Sequence, residues 1–289
     1  MLVTLKENLL KAEEGNYAVG AFNVPTLESA RAAMEAAEEL QAPIILAHAE
    51  AHNNIMPIEL IGPILIDMAR KATVPVTVHL DHGSSITIIK KAIAIGFTSV
   101  MIDASHMSLQ ENVKRVKEVV KYAHQHNVSV EAELGVMTSS GIGGEETYAG
   151  NQDQSVDLYT DPIIAKEFVE KTKIDALAAS FGTVHGIYSS VPQLDFERLK
   201  DIHENIKIPV VMHGGSGLSK KDYIRTINSG VRKINYYSYS AKAGAEAVKK
   251  YINLNTNLFY HDLTIVAKNA IKDDYKRAIS IFTNKELVK

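Results

Sequence analysis

Apolar and β-branched residues gather along this chain in short runs, and between successive runs the pattern changes to one that repeats every three to four positions. The runs predict strands at 19 to 24 (VGAFNV), 43 to 48 (PIILAH), 74 to 81 (VPVTVHLD), 99 to 104 (SVMIDA), 128 to 134 (VSVEAEL), 176 to 181 (ALAASF), 209 to 213 (PVVMH) and 233 to 238 (KINYYS). The segment from Ser108 to Asn127 shows what lies between them. Ser108 and Glu111 have capping-box spacing, Leu109, Val113, Val116, Val120 and Ala123 share one helical face, and Asn127 suits a left-handed terminating residue. Ser219 with Asp222 opens another such helix that Gly230 closes, and Asp161-Pro162 supplies a cap and a first-turn proline for a third.

Eight apolar strands alternating with helices call for a parallel sheet covered by those helices, and an α/β fold of the (β/α)8 TIM-barrel type uses all eight. The competing architecture, a doubly wound open sheet, often carries a G-x-G-x-x-G between strand and helix, and none is present. A length of 289 residues suits one such barrel, and no Pro/Gly/Ser-rich linker interrupts it, so residues 1–289 are expected to form a single domain. One connection is out of scale: Gly135 to Thr160 holds five glycines and the adjacent acids Glu145 and Glu146. A loop of that length is usually functional or disordered.

Composition narrows the chemistry. With 46% hydrophobic and 22% charged residues the chain can bury a substantial core. Its 31 basic and 34 acidic residues leave a net charge of -3 and no overall basic field for a nucleic-acid backbone. The lack of cysteine removes disulfides, thiolate metal sites and cysteine nucleophiles together, so a metal would rest on His, Asp or Glu. Met1 to Glu7 has no secretory pattern, and the most apolar window, Leu60 to Ile66, is broken by Pro63 and falls far short of the roughly 20 residues a spanning helix needs. The expectation is a cytoplasmic protein with neither membrane nor nucleic acid as partner.

Barrel chemistry gathers at the C-terminal ends of the strands, where the following loops face one another. That end is crowded here: His79-Leu80-Asp81-His82-Gly83 after the third strand, Asp103 after the fourth, Glu131 and Glu133 on the fifth, His185-Gly186 after the sixth, and His213-Gly214-Gly215-Ser216-Gly217 after the seventh. Three histidines from three strand ends can converge on one point, as catalytic zinc requires. Plainer readings compete. His48, Glu50 and His52 are a rival ligand set, His79 reads first as a packed core histidine, and the strand-end acids can simply cap loops or pair with cations. His124, His126, His203 and His261 fall on helices or the tail and receive no role. The glycines after strand seven suit a phosphate held on backbone N–H groups, although a plain left-handed turn would also use them.

Together the blocks HLDHG (79–83), EAELG (131–135), GTVHG (182–186) and HGGSG (213–217) resemble the main motifs of the zinc-dependent class II ketose-bisphosphate aldolases, and the similarity runs from Ala21-Phe22-Asn23 to Ala270-Ile271-Lys272. The resemblance implies a lyase of carbohydrate metabolism, of the kind found in glycolysis. It would cleave a ketose 1-phosphate or a fructose- or tagatose-type 1,6-bisphosphate into dihydroxyacetone phosphate and an aldehyde. It implies Zn2+ on His82, His185 and His213, with Asp103 and Glu133 near the metal or at an alternative position for it, and Asp81 as acid/base at the C4 hydroxyl. It further implies a sugar-phosphate site on Gly186, Gly214, Gly215, Ser216 and the segment from Asn235 to Ser238, with Asn23 beside the substrate and Glu145 or Glu146 moving the C3 proton. A monovalent cation near the phosphate and a homodimer or homotetramer complete what it suggests.

Elementary chemistry agrees: a divalent metal stabilises the enediolate left by breaking a C–C bond beside a carbonyl, whereas a Schiff base needs a strand lysine, and the only one in the strands, Lys233, lies at the base of strand eight. Departures from the family pattern fall at Ala49, Tyr237 and Ala241, toward the distal part of the sugar, with Lys268 as a candidate substitute cation. They predict weaker use of fructose 1,6-bisphosphate. The rival functions are a zinc hydrolase on the same barrel and a non-catalytic aldolase-like subunit.

Overall fold

The computed structural model describes residues 1–137, 158–188 and 190–284. Its eight strands are all parallel and close in sequence order into a barrel: β1 (Val19–Asn23), β2 (Ile44–Ala49), β3 (Val76–Gly83), β4 (Ser99–Ile102), β5 (Ser129–Leu134), β6 (Ala176–Ala179), β7 (Val210–Met212) and β8 (Val231–Tyr236), with β8 pairing back onto β1. The predicted (β/α)8 fold is correct. The helices are α1 (Leu5–Gly15), α2 (Leu27–Leu40), α3 (Ile58–Lys71), α4 (Ile86–Ile95), α5 (Leu109–Gln125), α6 (Pro162–Thr172), α7 (Phe196–Ile206), α8 (Lys220–Asn228), α9 (Ser238–Leu254) and α10 (Tyr260–Phe282).

Local signals largely behave as the sequence suggests. Asp161 caps α6 ahead of Pro162, Ser219 caps α8, and Asn127 and Gly230 take positive φ. The box at Ser108 is only half formed: Ser108 accepts from Glu111 N, while the Glu111 carboxylate lies 3.8 Å from Lys114 and 3.7 Å from Arg115. A complete box sits at Thr4 and Glu7, opening α1, a helix that precedes the first β/α unit.

Strand parity decides what faces the barrel axis, because successive side chains point to opposite faces. Val19, Ala21, Ile45, Ala176, Ala178 and Val211 form a small apolar cluster with Leu5, Leu9 and Ala12 of α1, which closes the base of the barrel. The opposite parity packs outward on the helices in a much larger core that includes Phe22, Leu46, Val78, Leu80, Val130 and Ile234. Following the inward parity upward leads to Asn23, Asp81, Glu131, Glu133, His213 and Asn235. The site is the polar continuation of the axial core.

Candidate active site

Asp81 stands at the centre of the upper barrel. It is fully buried, and its carboxylate accepts from Asn23 Nδ2 at 3.0 Å and from Asn235 Nδ2 at 3.2 Å. Burial opposes its ionisation, but His82, His213 and Lys233 outweigh that and hold the carboxyl well below its ordinary value. It is therefore a charged base whose direction is fixed by two amides from β1 and β8.

Beyond Asp81 the chain leaves regular geometry. His82 has φ +46°, a left-handed conformation that costs a non-glycine residue roughly 1–2 kcal/mol, and the β3–β4 register shifts between Leu80 and Gly83. The distortion turns His82 toward its partners: His82 Nδ1 lies 2.9 Å from Asp103 Oδ2, and His82 Nε2 lies 2.9 Å from His213 Nδ1. The rings of His82, His185 and His213 meet edge to face, with centroids 4.6 to 5.7 Å apart. Ligand atoms from these three histidines lie within 4.8 Å of one another, and those of His82, Asp103 and Glu133 form a second such group. The sequence-predicted ligands thus come together.

Several observations fit a cation among them. Glu133 Oε2 and His185 Nε2 are buried with no hydrogen-bond partner, a costly state that a divalent ion would relieve. Burial also pushes His185 well below, and His213 below, the ordinary histidine value, keeping both in the neutral form that binds metal. Burial and the neighbouring Asp103 push Glu133 well above the ordinary carboxylate range. All-nitrogen and oxygen donors of this kind suit zinc and similar divalent ions. The rival set does not assemble among the described residues: His48 Nε2 contacts Asn53 Oδ1 at 3.1 Å, and the His52 ring packs against Tyr237 with centroids 4.8 Å apart.

Sequence reasoning undervalued the pair beneath the histidines. Glu131 Oε1 receives His213 Nε2 at 2.8 Å, and Lys233 Nζ reaches both Glu131 oxygens at 3.0 and 2.8 Å, all three side chains being fully buried. Burial disfavours the Glu131 anion, yet Lys233 and the His213 bond hold its carboxyl at about 2. Lys233 is thus an internal counter-ion rather than a residue of the outer base. His79 is part of the same interior, with Nδ1 2.8 Å from Ser99 Oγ and Nε2 3.7 Å from Glu131 Oε2. Inward parity shared by 79, 81, 131 and 233 was the signal that could have joined them.

A cleft opens above, lined by Asn23, Asp81, His185, Gly186, Gly214 and Ser216 and by Asn235 to Ser238. Gly214 has φ +62°, and a Cβ there would meet the Val184 carbonyl oxygen at 2.3 Å, so glycine is needed for the loops after β6 and β7 to touch. Tyr188 holds the same contact by donating to Gly214 O at 2.7 Å. Gly215 does not line the cleft: its N–H donates to Asn235 O at 3.2 Å, and its α-carbon faces Ile234. Ser216 Oγ accepts from Tyr237 N at 2.8 Å, which leaves its hydrogen as the part it can offer an anion. The N-terminus of α9, with no side-chain cap, opens into the same cleft at Ser238 and presents the positive end of its dipole. Glu145 and Glu146 lie outside the described residues.

A closed (β/α)8 barrel whose mouth gathers His, Asp and Glu side chains beside a glycine-bearing cleft is an arrangement suited to metal-assisted chemistry on an anionic substrate. Residues 3–286 match the family model for class-II fructose-bisphosphate aldolase. The fructose-bisphosphate aldolase of Staphylococcus aureus (strain Mu50 / ATCC 700699) is 41% identical over 290 residues, covering 97% of each chain, and that of Staphylococcus epidermidis (strain ATCC 12228 / FDA PCI 1200) is 40% identical over 289 residues with 97% of each covered. Among solved structures, the YdjI aldolase of Escherichia coli K12 superposes with a TM-score of 0.85 at 35% identity, covering 98% of this chain and 97% of that one. The chain belongs to the class-II fructose-bisphosphate aldolase family, and it is an aldolase, a lyase of carbohydrate metabolism. No helix among the described residues is long and apolar enough to cross a membrane.

Proposed function

We propose that this protein is a zinc-dependent aldolase that reversibly cleaves a ketose 1-phosphate or ketose 1,6-bisphosphate, of the fructose or tagatose type, into dihydroxyacetone phosphate and an aldehyde. The observation that carries this reading is the Asp81 carboxylate, fixed by Asn23 and Asn235 and lining the same cleft as His185, Gly214 and Ser216. His82, His185 and His213 would hold Zn2+, with Asp103 and Glu133 beside it. When bound there, the ion supplies a Lewis acid that draws electron density from the substrate carbonyl.

The remaining steps belong to the chain's own residues. Gly186, Gly214, Ser216 and Ser238 receive the C1 phosphate on backbone N–H groups, hydroxyls and the α9 N-terminus, whereas Gly215 supports the loop from behind. Asn23 and Asn235 aim Asp81 at the C4 hydroxyl. Asp81 takes that proton, the C4 oxygen pair becomes the aldehyde carbonyl, the C3–C4 bond breaks, and its electrons remain on the donor fragment as the enediolate. A proton returned to C3, by Glu145 or Glu146 on the family resemblance, completes dihydroxyacetone phosphate. Glu131, charged by Lys233, keeps the His213 Nε2 proton in place so that Nδ1 turns toward the cluster. A monovalent cation near the phosphate, a single domain over 1–289, a homodimer or homotetramer and a cytoplasmic setting form part of the same reading. Exposed Leu254, Phe259 and Tyr260 support self-association.

The test is to load the protein with zinc and follow solvent-deuterium exchange at C3 of dihydroxyacetone phosphate, then add aldehydes and identify the product. Exchange followed by a new ketose phosphate is expected. Alanine at His82, His185 or His213 should each remove most of the bound zinc, since two anchors remain of three. Stoichiometric zinc in all three variants would refute the ligand assignment.

A further inference from the structure

The substrate's two ends meet very different surroundings. Between the C-terminal end of each strand and the next α-helix the described connecting residues are 24–26, 50–57, 84–85, 103–108, 135–137 with 158–161, 180–188 with 190–195, 213–219 and 237. The chain has 31 lysines and arginines, and not one falls in these eight connections. The described residues of these connections carry four carboxylates, Glu50, Asp103, Asp161 and Asp195. A dianionic group at the mouth therefore meets no lysine or arginine from the described connections themselves.

The donor phosphate has a remedy in the α9 N-terminus, Gly214 and Ser216. The surroundings of Asp81 on the β2 side offer no equivalent. Ala49 is its register partner on β2, buried and bearing only a methyl group. Past it lies the short 3₁₀ turn Glu50–Asn54, where His52 is buried against Tyr237 and the Glu50 carboxylate is engaged by Ser84 N at 2.7 Å. Burial and nearby His48 lower His52 to about 4, so it is uncharged at neutral pH. Lys268, the one candidate substitute cation, is turned away: its ammonium binds Glu35 where α10 packs on α2. Lys242, in the first turns of α9, is 3.9 Å from Glu246.

We infer that the acceptor half of the substrate is uncharged, so that the enzyme joins dihydroxyacetone phosphate to a neutral hydroxyaldehyde and splits a ketose 1-phosphate in preference to a 1,6-bisphosphate. This rests on the aldolase reading above and narrows it. Discrimination follows from what the second phosphate would lose, because a doubly charged group leaving water for this rim finds acids and apolar side chains in place of a paired cation.

The experiment is a competition in the condensation direction. Zinc-loaded full-length protein receives limiting dihydroxyacetone phosphate with equimolar D-glyceraldehyde and D-glyceraldehyde 3-phosphate, and the ketose monophosphate and bisphosphate formed are quantified. C3 deuterium exchange on dihydroxyacetone phosphate alone is measured in parallel. The expected result is intact exchange and at least a tenfold excess of the monophosphate. Equal amounts, or an excess of bisphosphate, would overturn the inference and leave the aldolase reading standing. Loss of exchange together with absence of both products would overturn the aldolase reading, and this inference with it.

Discussion

Asp81 and Gly214 concentrate most of what a single position can decide. In Asp81→Asn the proton acceptor is lost while shape is kept, and acid/base groups typically contribute ~10²–10⁴-fold. Cleavage should fall by about that factor, yet zinc content and C3 exchange should persist, because the proton Asp81 handles is on the C4 oxygen. Unchanged cleavage, measured by coupled assay, would remove Asp81 from the reaction. Gly214→Ala tests the other half of the cleft. A methyl at φ +62°, 2.3 Å from Val184 O, must push the loops after β6 and β7 apart. Destabilisation of more than ~1 kcal/mol and weaker binding of dihydroxyacetone phosphate are expected from denaturant melts and titration calorimetry. Much of this was legible beforehand: Asp81, the three histidines and the glycines were all visible as strand-end residues. Gly215 was not separable from Gly214 in sequence, since two adjacent glycines differ only in which way each faces. For Glu131 the structure shows the plainer reading, an acid paired with a cation, but its partner Lys233 is not nameable from sequence because a buried ion pair between β5 and β8, 102 positions apart, has no local signature.

Among the elements, the eight strands follow the apolar runs, but their ends differ in an instructive way. The runs 99 to 104, 176 to 181 and 209 to 213 predict longer strands than β4, β6 and β7, which stop at Ile102, Ala179 and Met212. Two of the residues just past these ends, Asp103 and His213, lie against His82 in the site. β3 instead runs on to Gly83 through its register shift. The helix α1 carries a Thr4–Glu7 box and Leu5, Leu9 and Ala12 on one face, a signal that stands outside the strand-then-helix repeat from which the eight units are read. α10 is held to α2 by Lys268, Lys272 and Lys276 against Glu35 and Glu39. Lys268→Met should therefore leave KM for the ketose phosphate within twofold and lower Tm by about 2–4 °C, the effect of ~1 kcal/mol in a chain of this size. A large rise in KM with unchanged Tm would return Lys268 to the substrate site.

For the whole molecule, the buried charges make stability depend on pH. His79 falls from an ordinary 6.5 to about 3, through burial first and Lys233 second, and Glu131 falls from 4.5 to about 2. Both folded values are depressed, so the unfolded chain binds more protons as acid is added, and stability present above the ordinary values is lost on going down. Metal-free protein should weaken from about pH 6.5 as His79 contributes and more steeply below about 4.5 as Glu131 joins it. Urea midpoints measured from pH 7 to 3 check this, and His79→Gln should flatten the upper part of the decline; an unaltered profile would discount His79. The plug formed by α1 adds a consequence for the traffic of protons and water. With Leu5, Leu9 and Ala12 packed into the base, the described residues leave the barrel interior opening toward the substrate cleft. Protons that reach His79 and Glu131 as the pH falls would then exchange with bulk water through the opening that a bound ligand stoppers. Each occupied cycle would run on the hydration and protonation state trapped when the substrate entered.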